Sequence, residues 1–145
     1  MRHSNILWIF MVLVISGLLF SACTKKSAPT KIKPATVEHI DGTELSKIIL
    51  TEKAAERLGI ETDKIRILRM SPHREVAPYA ALLYDVNGGT WVYTNPEPLV
   101  FVRHRITVDY IKGSLVFLID GPAVGTEVVI VGAAELFGAE FEIGH

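Results

Sequence analysis

At 145 residues, with a formal net charge of −1 and a single cysteine, the chain holds one ordinary domain plus a leader, since single cores are built from about 100 to 200 residues. The balanced charge excludes the basic stripe of a nucleic-acid binder. One cysteine excludes an internal disulfide.

The N-terminus has the three-part order of an export signal: Arg2 and His3, an apolar run from Ile6 to Leu19, then Ser21 and Ala22 before Cys23. Ordinary signal peptidase wants a small residue where Phe20 stands. Phe20-Ser21-Ala22-Cys23 instead resembles the bacterial lipobox, with phenylalanine in place of its usual leucine. That resemblance implies cleavage after residue 22 and a diacylglycerol on the Cys23 sulfur. Several acyl chains then give lasting attachment where one alone binds reversibly. An uncleaved anchor and plain secretion are the alternatives. Residues 1–22 are thus read as a lipoprotein signal peptide and 23–43 as a lipidated linker. In the linker, Lys25, Lys26, Lys31 and Lys33 alternate with prolines and few large apolar side chains, a composition that cannot offset its ordering entropy.

The folded domain is placed at 44–145. Residues 45–50 alternate as a strand. Thr51 is an N-cap, Glu52 to Leu58 a helix, and Gly59 its stop. Residues 60–70 alternate as one second strand. The stretch up to Tyr84 and the return at Thr90–Thr94 form a hairpin over Val86-Asn87-Gly88-Gly89, where Asn-Gly supplies positive φ angles. Asn95-Pro96-Glu97-Pro98 is a loop or sheet edge, because proline lacks a donor. Residues 100–110 read as one long strand, with Val100, Val102, His104, Ile106, Val108 and Tyr110 on its apolar side and Phe101, Arg103, Arg105, Thr107 and Asp109 on the other. Leu115–Ile119 is a central strand and Glu127–Val131 a last long one. For residues 133–141 a helical turn and a closing strand remain equal alternatives. The expectation is a mainly β domain, a small barrel or sandwich of about seven strands with one short helix.

Three segments carry a further resemblance: LTEKAAERLGIET, APYAALLYDVNGGTWVY and DGPAVGTEVVIVGAAELFGAE. In this order they resemble the membrane-proximal domain of periplasmic adaptor subunits, the membrane fusion proteins of RND efflux pumps. In that family a barrel, a lipoyl-like domain and a helical hairpin separate the first segment from the second. Here the excursion shrinks to Leu68–Glu75. The resemblance implies a non-catalytic periplasmic lipoprotein that docks on an inner-membrane RND-type transporter or a full-length adaptor to support efflux. Without the helical hairpin, contact with an outer-membrane channel by that route is excluded. Which membrane holds the lipid stays open, since Thr24 is not the aspartate that usually marks inner-membrane retention in enteric bacteria.

Arg103, Arg105, Trp91 and Tyr93 are the candidate partner-contact residues, because arginine and large aromatics dominate interfaces. A solvated face for the arginines and a core position for the aromatics are the competing readings. The rival function is a tethered metal- or small-ligand-binding module using His39, His73, His104, His145 and Met70. No two histidines have the close spacing of a preformed site, and His104 on an apolar face reads as structural, so no metal or cofactor is expected. Ser46, Ser71 and Ser114 sit in no nucleophile elbow, and phosphate-loop and HExxH motifs are missing, so no catalysis is expected.

Overall fold

The computed structural model describes residues 33–69 and 72–141. The signal segment 1–22, Cys23, the linker to residue 32, Met70, Ser71 and His145 lie outside the described residues. Among the described residues eleven strands form two antiparallel sheets, with two helices. The mainly β expectation holds.

The described unit begins at Lys33, earlier than the composition of the linker suggests. Strand β1 (Ala35–His39) pairs antiparallel with β2 (Ser46–Leu50), Ala35 opposite Leu50 and His39 opposite Ser46. The flexible reading of residues 23–43 is corrected over this stretch. Its side chains are mostly exposed, so the strand is held by backbone pairing and by Ala35 packing on the core rather than by an apolar signature. Helix α1 (Glu52–Leu58) follows the predicted capping. The Thr51 hydroxyl accepts from the Ala54 amide at 3.2 Å, and Gly59 ends the helix at φ 61°.

The predicted strand over 60–70 is two strands in different sheets. Strand β3 (Glu61–Lys64) pairs with β11 (Glu127–Val131). Strand β4 (Arg66–Leu68) pairs with β5 (Arg74–Pro78). Ile65, between the two strands, is 1% exposed and Ile67, within β4, is 48% exposed, so the alternation loses its phase where the chain changes sheets. The same occurs farther on. Strand β8 (Val100–Arg105) and strand β9 (Thr107–Lys112) are separated by buried Ile106, which donates its amide to Thr90. The hairpin is present, but its first arm is only β6 (Leu83–Tyr84), preceded by a 3₁₀ turn at Tyr79–Ala81, and paired with β7 (Thr90–Glu97). The chain runs through Pro96 by a shift of register between Thr94 and Glu97. Strand β10 (Leu115–Asp120) is central to its sheet, and residues 133–140 resolve as helix α2 (Ala133–Glu140).

The large sheet runs β1-β2-β8-β7-β11-β3, with β6 on β7; the small one runs β4-β5-β10-β9. Neither closes into a barrel among the described residues. Two apolar layers result. Ile48, Leu50, Tyr93, Phe101 and Val129 of the large sheet pack with Ala54 of α1 and with Ala133 and Leu136 of α2. On the opposite face Val92 and Val128 pack with Ala77, Val116 and Leu118 of the small sheet, and Ile65 and Ile106 sit at the two crossovers. The order is helices, large sheet, small sheet.

Candidate functional site

The polar residues of interest gather on the helix-covered side of the large sheet, where β7, β8 and α2 meet. Antiparallel pairing sets Trp91 opposite Arg105 and Tyr93 opposite Arg103, so period-2 alternation sends all four side chains to one face. This is the face that also buries Phe101. The predicted apolar side of residues 100–105 is therefore the less buried one: Phe101 is 2% and Arg103 6% exposed, whereas His104 is exposed. A structural, satisfied His104 is corrected accordingly.

Arg103, a charged residue, is only 6% exposed. Its Nε lies 3.2 Å from Glu140 Oε2, with the two side chains 7% and 2% exposed. Nε has no hydrogen-bond partner, so the contact is Coulombic. The Tyr93 hydroxyl donates to that same Glu140 oxygen. Burial, and next the neighbouring Glu140 carboxylate, hold the Tyr93 phenol well above its ordinary range. Aromatic rings complete the enclosure: the guanidinium carbon of Arg103 is 4.1 Å from the centre of the Trp91 ring and 5.0 Å from that of Phe141. Each such contact contributes about 0.5 to 2 kcal/mol, toward the upper value where water is excluded.

The hairpin turn fixes Trp91. Asp85 Oδ1 accepts from the amides of Asn87 and Gly89 at 2.8 and 2.7 Å, and Oδ2 accepts from the indole Nε1 of Trp91 at 2.9 Å. The indole bond first, and the Gly89 amide next, hold the Asp85 carboxyl below its usual value. Gly89 is required here by space rather than by its φ angle. A Cβ would stand 2.5 Å from Asp85 Oδ2 and 3.0 Å from Trp91 Nε1.

Of the four predicted contact residues, Tyr93 (0% exposed) and Arg103 face inward and hold α2 to the sheet. Their surface-contact reading is corrected. Trp91 is half-buried and Arg105 exposed, with the Arg105 guanidinium 5.7 Å from the Trp91 ring centre. Phe141, 47% exposed, has its ring 5.0 Å from the Arg103 guanidinium carbon. Trp91, Arg105 and Phe141 thus leave a cation and two aromatic rings at least partly open to solvent. Sequence reasoning missed Asp85, Glu140 and Phe141. Asp85 was legible as the residue that opens the turn four before Gly89; Glu140 lies one helical turn beyond Leu136, a signal that counts only once residues 133–140 are known to be helical.

His39 ends β1, His73 precedes β5 and His104 lies on β8, all exposed on separate elements. No cluster of three or more His, Cys, Asp or Glu able to hold a metal occurs among the described residues. Ser46 lies on β2 and Ser114 in the turn before β10. A cleft of about 250 Å³ opens at the seam of the two sheets, with Asp63, Lys64, Arg66, Pro78, Tyr79 and Ser114 among its lining residues. Among the described residues no helix is long and apolar enough to cross a membrane. No family model, curated protein or solved structure gives a significant match to this chain.

Proposed function

We propose that the chain is a non-catalytic, lipid-tethered module of the bacterial envelope, similar to the membrane-proximal domain of efflux adaptors. In this reading it docks on an RND-type inner-membrane transporter or on a full-length adaptor and supports the assembly for efflux. The observation that carries it is the pairing across the short connection at residues 69–73. The segments that the resembled family keeps far apart share both sheets here: β2 pairs with β8, β3 with β11, and β4 with β5. The shortcut is thus a hairpin connection that leaves a domain with its own core, as excisions at exposed positions do. The surface of Trp91, Arg105 and Phe141 supplies the docking chemistry.

Intact-mass measurement of the membrane-extracted chain tests the tether; acylated mass beginning at Cys23 is expected, and an unmodified thiol contradicts it. Affinity capture of the chain from cross-linked membranes tests the docking. Recovery of an RND-type transporter or adaptor, lost in the Trp91→Ala/Arg105→Ala variant, is expected. Recovery of neither by the unaltered chain overturns the reading.

A further inference from the structure

We propose that the free edge of β1 pairs antiparallel with β1 of a second copy of this chain, joining two large sheets across a two-fold axis. Strand β1 ends the large sheet and pairs only with β2 among the described residues. The Thr51 amide donates to the Pro34 carbonyl and the Ile40 amide to the Leu45 carbonyl, both at 3.0 Å. In an alternating ladder these bonds turn the main-chain groups of residues 34, 36, 38 and 40 toward β2, so those of Ala35, Val37 and His39 point away from the sheet. Such an edge is a template for another strand. The remaining edges are blunted. Strand β3 has Glu61, Asp63 and Lys64 among its four residues, β4 and β6 have only three and two, and the ladder of β9 is broken by register shifts around Leu118. Strand β1 instead has five residues in unbroken register, and its one carboxylate, Glu38, already holds Lys47 Nζ at 2.9 Å.

The residues of β1 themselves select a second copy as the occupant. A two-fold axis normal to the sheet keeps each face on its own side, so the strand must pair about one of its own residues. With Val37 facing Val37 of the second copy, Ala35 faces His39 on either side of it, and all three outward-pointing residues are used. Each of these three pairs exchanges two N–H···O bonds. Moving the centre to Thr36 or Glu38 leaves two such pairs, and a Glu38 centre also sets two carboxylates against each other. In the Val37 register Glu38 stands opposite Thr36 of the second copy, a hydroxyl that donates to a carboxylate without cost in charge. Charge agrees at both ends. Lys33 lies two residues before β1 and Asp41 two residues after it, so antiparallel pairing sets a cation of one copy beside an anion of the other. Val37, 38% exposed, supplies the apolar contact at the centre.

The test is a cysteine scan of β1 in the full chain, purified in mild detergent and briefly oxidised. The unaltered chain, whose only cysteine is Cys23, gives the background. Val37→Cys is expected to form a covalent dimer, since facing Cα atoms about 5.5 Å apart lie within the roughly 4.4 to 6.8 Å that a disulfide spans. Thr36→Cys and Glu38→Cys, each diagonal to its own copy at about 7 to 8 Å, should stay near background alone and link to one another when the two chains are mixed. A second variant separates the edge from the fold. Val37→Pro removes an amide that points outward and leaves the ladder to β2 intact. It should keep the native far-ultraviolet spectrum and raise the dimer dissociation constant, measured by sedimentation without oxidation, at least about tenfold. If that spectrum is lost, the scan alone decides. Val37→Cys dimer no more abundant than background, equal cross-linking at positions 36, 37 and 38, or a dissociation constant unmoved in a folded Val37→Pro chain would each overturn the proposal. So would oxidation in cell membranes that joins Val37→Cys to a chain of different mass instead of to itself, which would make this edge the site of another protein.

Discussion

Arg103 on β8 and Glu140 in the last turn of α2 form a buried ion pair, 3.2 Å apart, that joins the end of the second helix to the centre of the large sheet. Removing one partner of such a pair leaves an uncompensated buried charge, at a cost of about 3 to 5 kcal/mol. Glu140→Ala and Arg103→Ala are each expected to lose about that much in urea unfolding. The Arg103→Met/Glu140→Leu double variant should lose clearly less than the two single losses combined, because it buries no orphan charge. Additive losses would mean that the two residues are not coupled.

Tyr93 gives a pH signature of the same cluster. Its phenol is held in the neutral form by burial and by Glu140, so the native state keeps a proton that the unfolded chain releases near the ordinary tyrosine value of about 10. The stability this provides is fully present below that value and is lost as pH rises above it. Absorbance titration should show Tyr93 ionising only when the alkaline transition unfolds the chain. The Tyr93→Phe variant should lack this component of the alkaline transition. Its neutral-pH stability should fall by about 1 kcal/mol through the lost hydrogen bond.

Asp85 works in the opposite direction. Because its folded value is lowered by the Trp91 indole and the Gly89 amide, its stabilisation is present above the unfolded carboxylate value of about 4 and is lost as pH falls through the lower folded one. Trp91 fluorescence should therefore stay constant down to that range and change below it. Asp85→Asn should abolish the acid response. Gly89→Ala should produce the low-pH spectrum at neutral pH by pushing the carboxylate off the indole.

Strand β1 predicts a boundary effect. A chain truncated to begin at Glu44, the start suggested by composition, would lose the strand that pairs with the whole of β2 and the Ala35 contact with the core. It should melt at least about 5 °C below a chain beginning at Lys33, the shift that roughly 1 kcal/mol produces in a domain of this size. Equal melting temperatures would mean that β1 adds nothing to the fold.

Local rules were readable where one residue type has one use. Thr51 and Gly59 bracket α1, and the hairpin over Asn87-Gly88 stands where its turn chemistry requires. Alternation alone did not reveal where the chain changes sheets, because Ile65 and Ile106 look like ordinary strand residues and are recognised only by what packs on both sides of them. The same ambiguity reversed the face of β8. Val100, Val102 and His104 resembled a core stripe, yet two helices cover the opposite side and enclose Arg103 with Phe101. A buried arginine becomes legible only with its partner, and Glu140 stands 37 residues farther along a segment whose helical state propensity left undecided.

Native-state hydrogen exchange of the full chain tests most directly whether the sequences on the two sides of residues 69–73 make one fold. The central amides of β2 and β3, from the first portion, should exchange with the same opening free energy as those of β8 and β11, from the second, and lose protection together as urea is added. Protection of β8 and β11 that survives the opening of β2 and β3 would contradict a shared core, and with it the account of a self-contained adaptor-like domain.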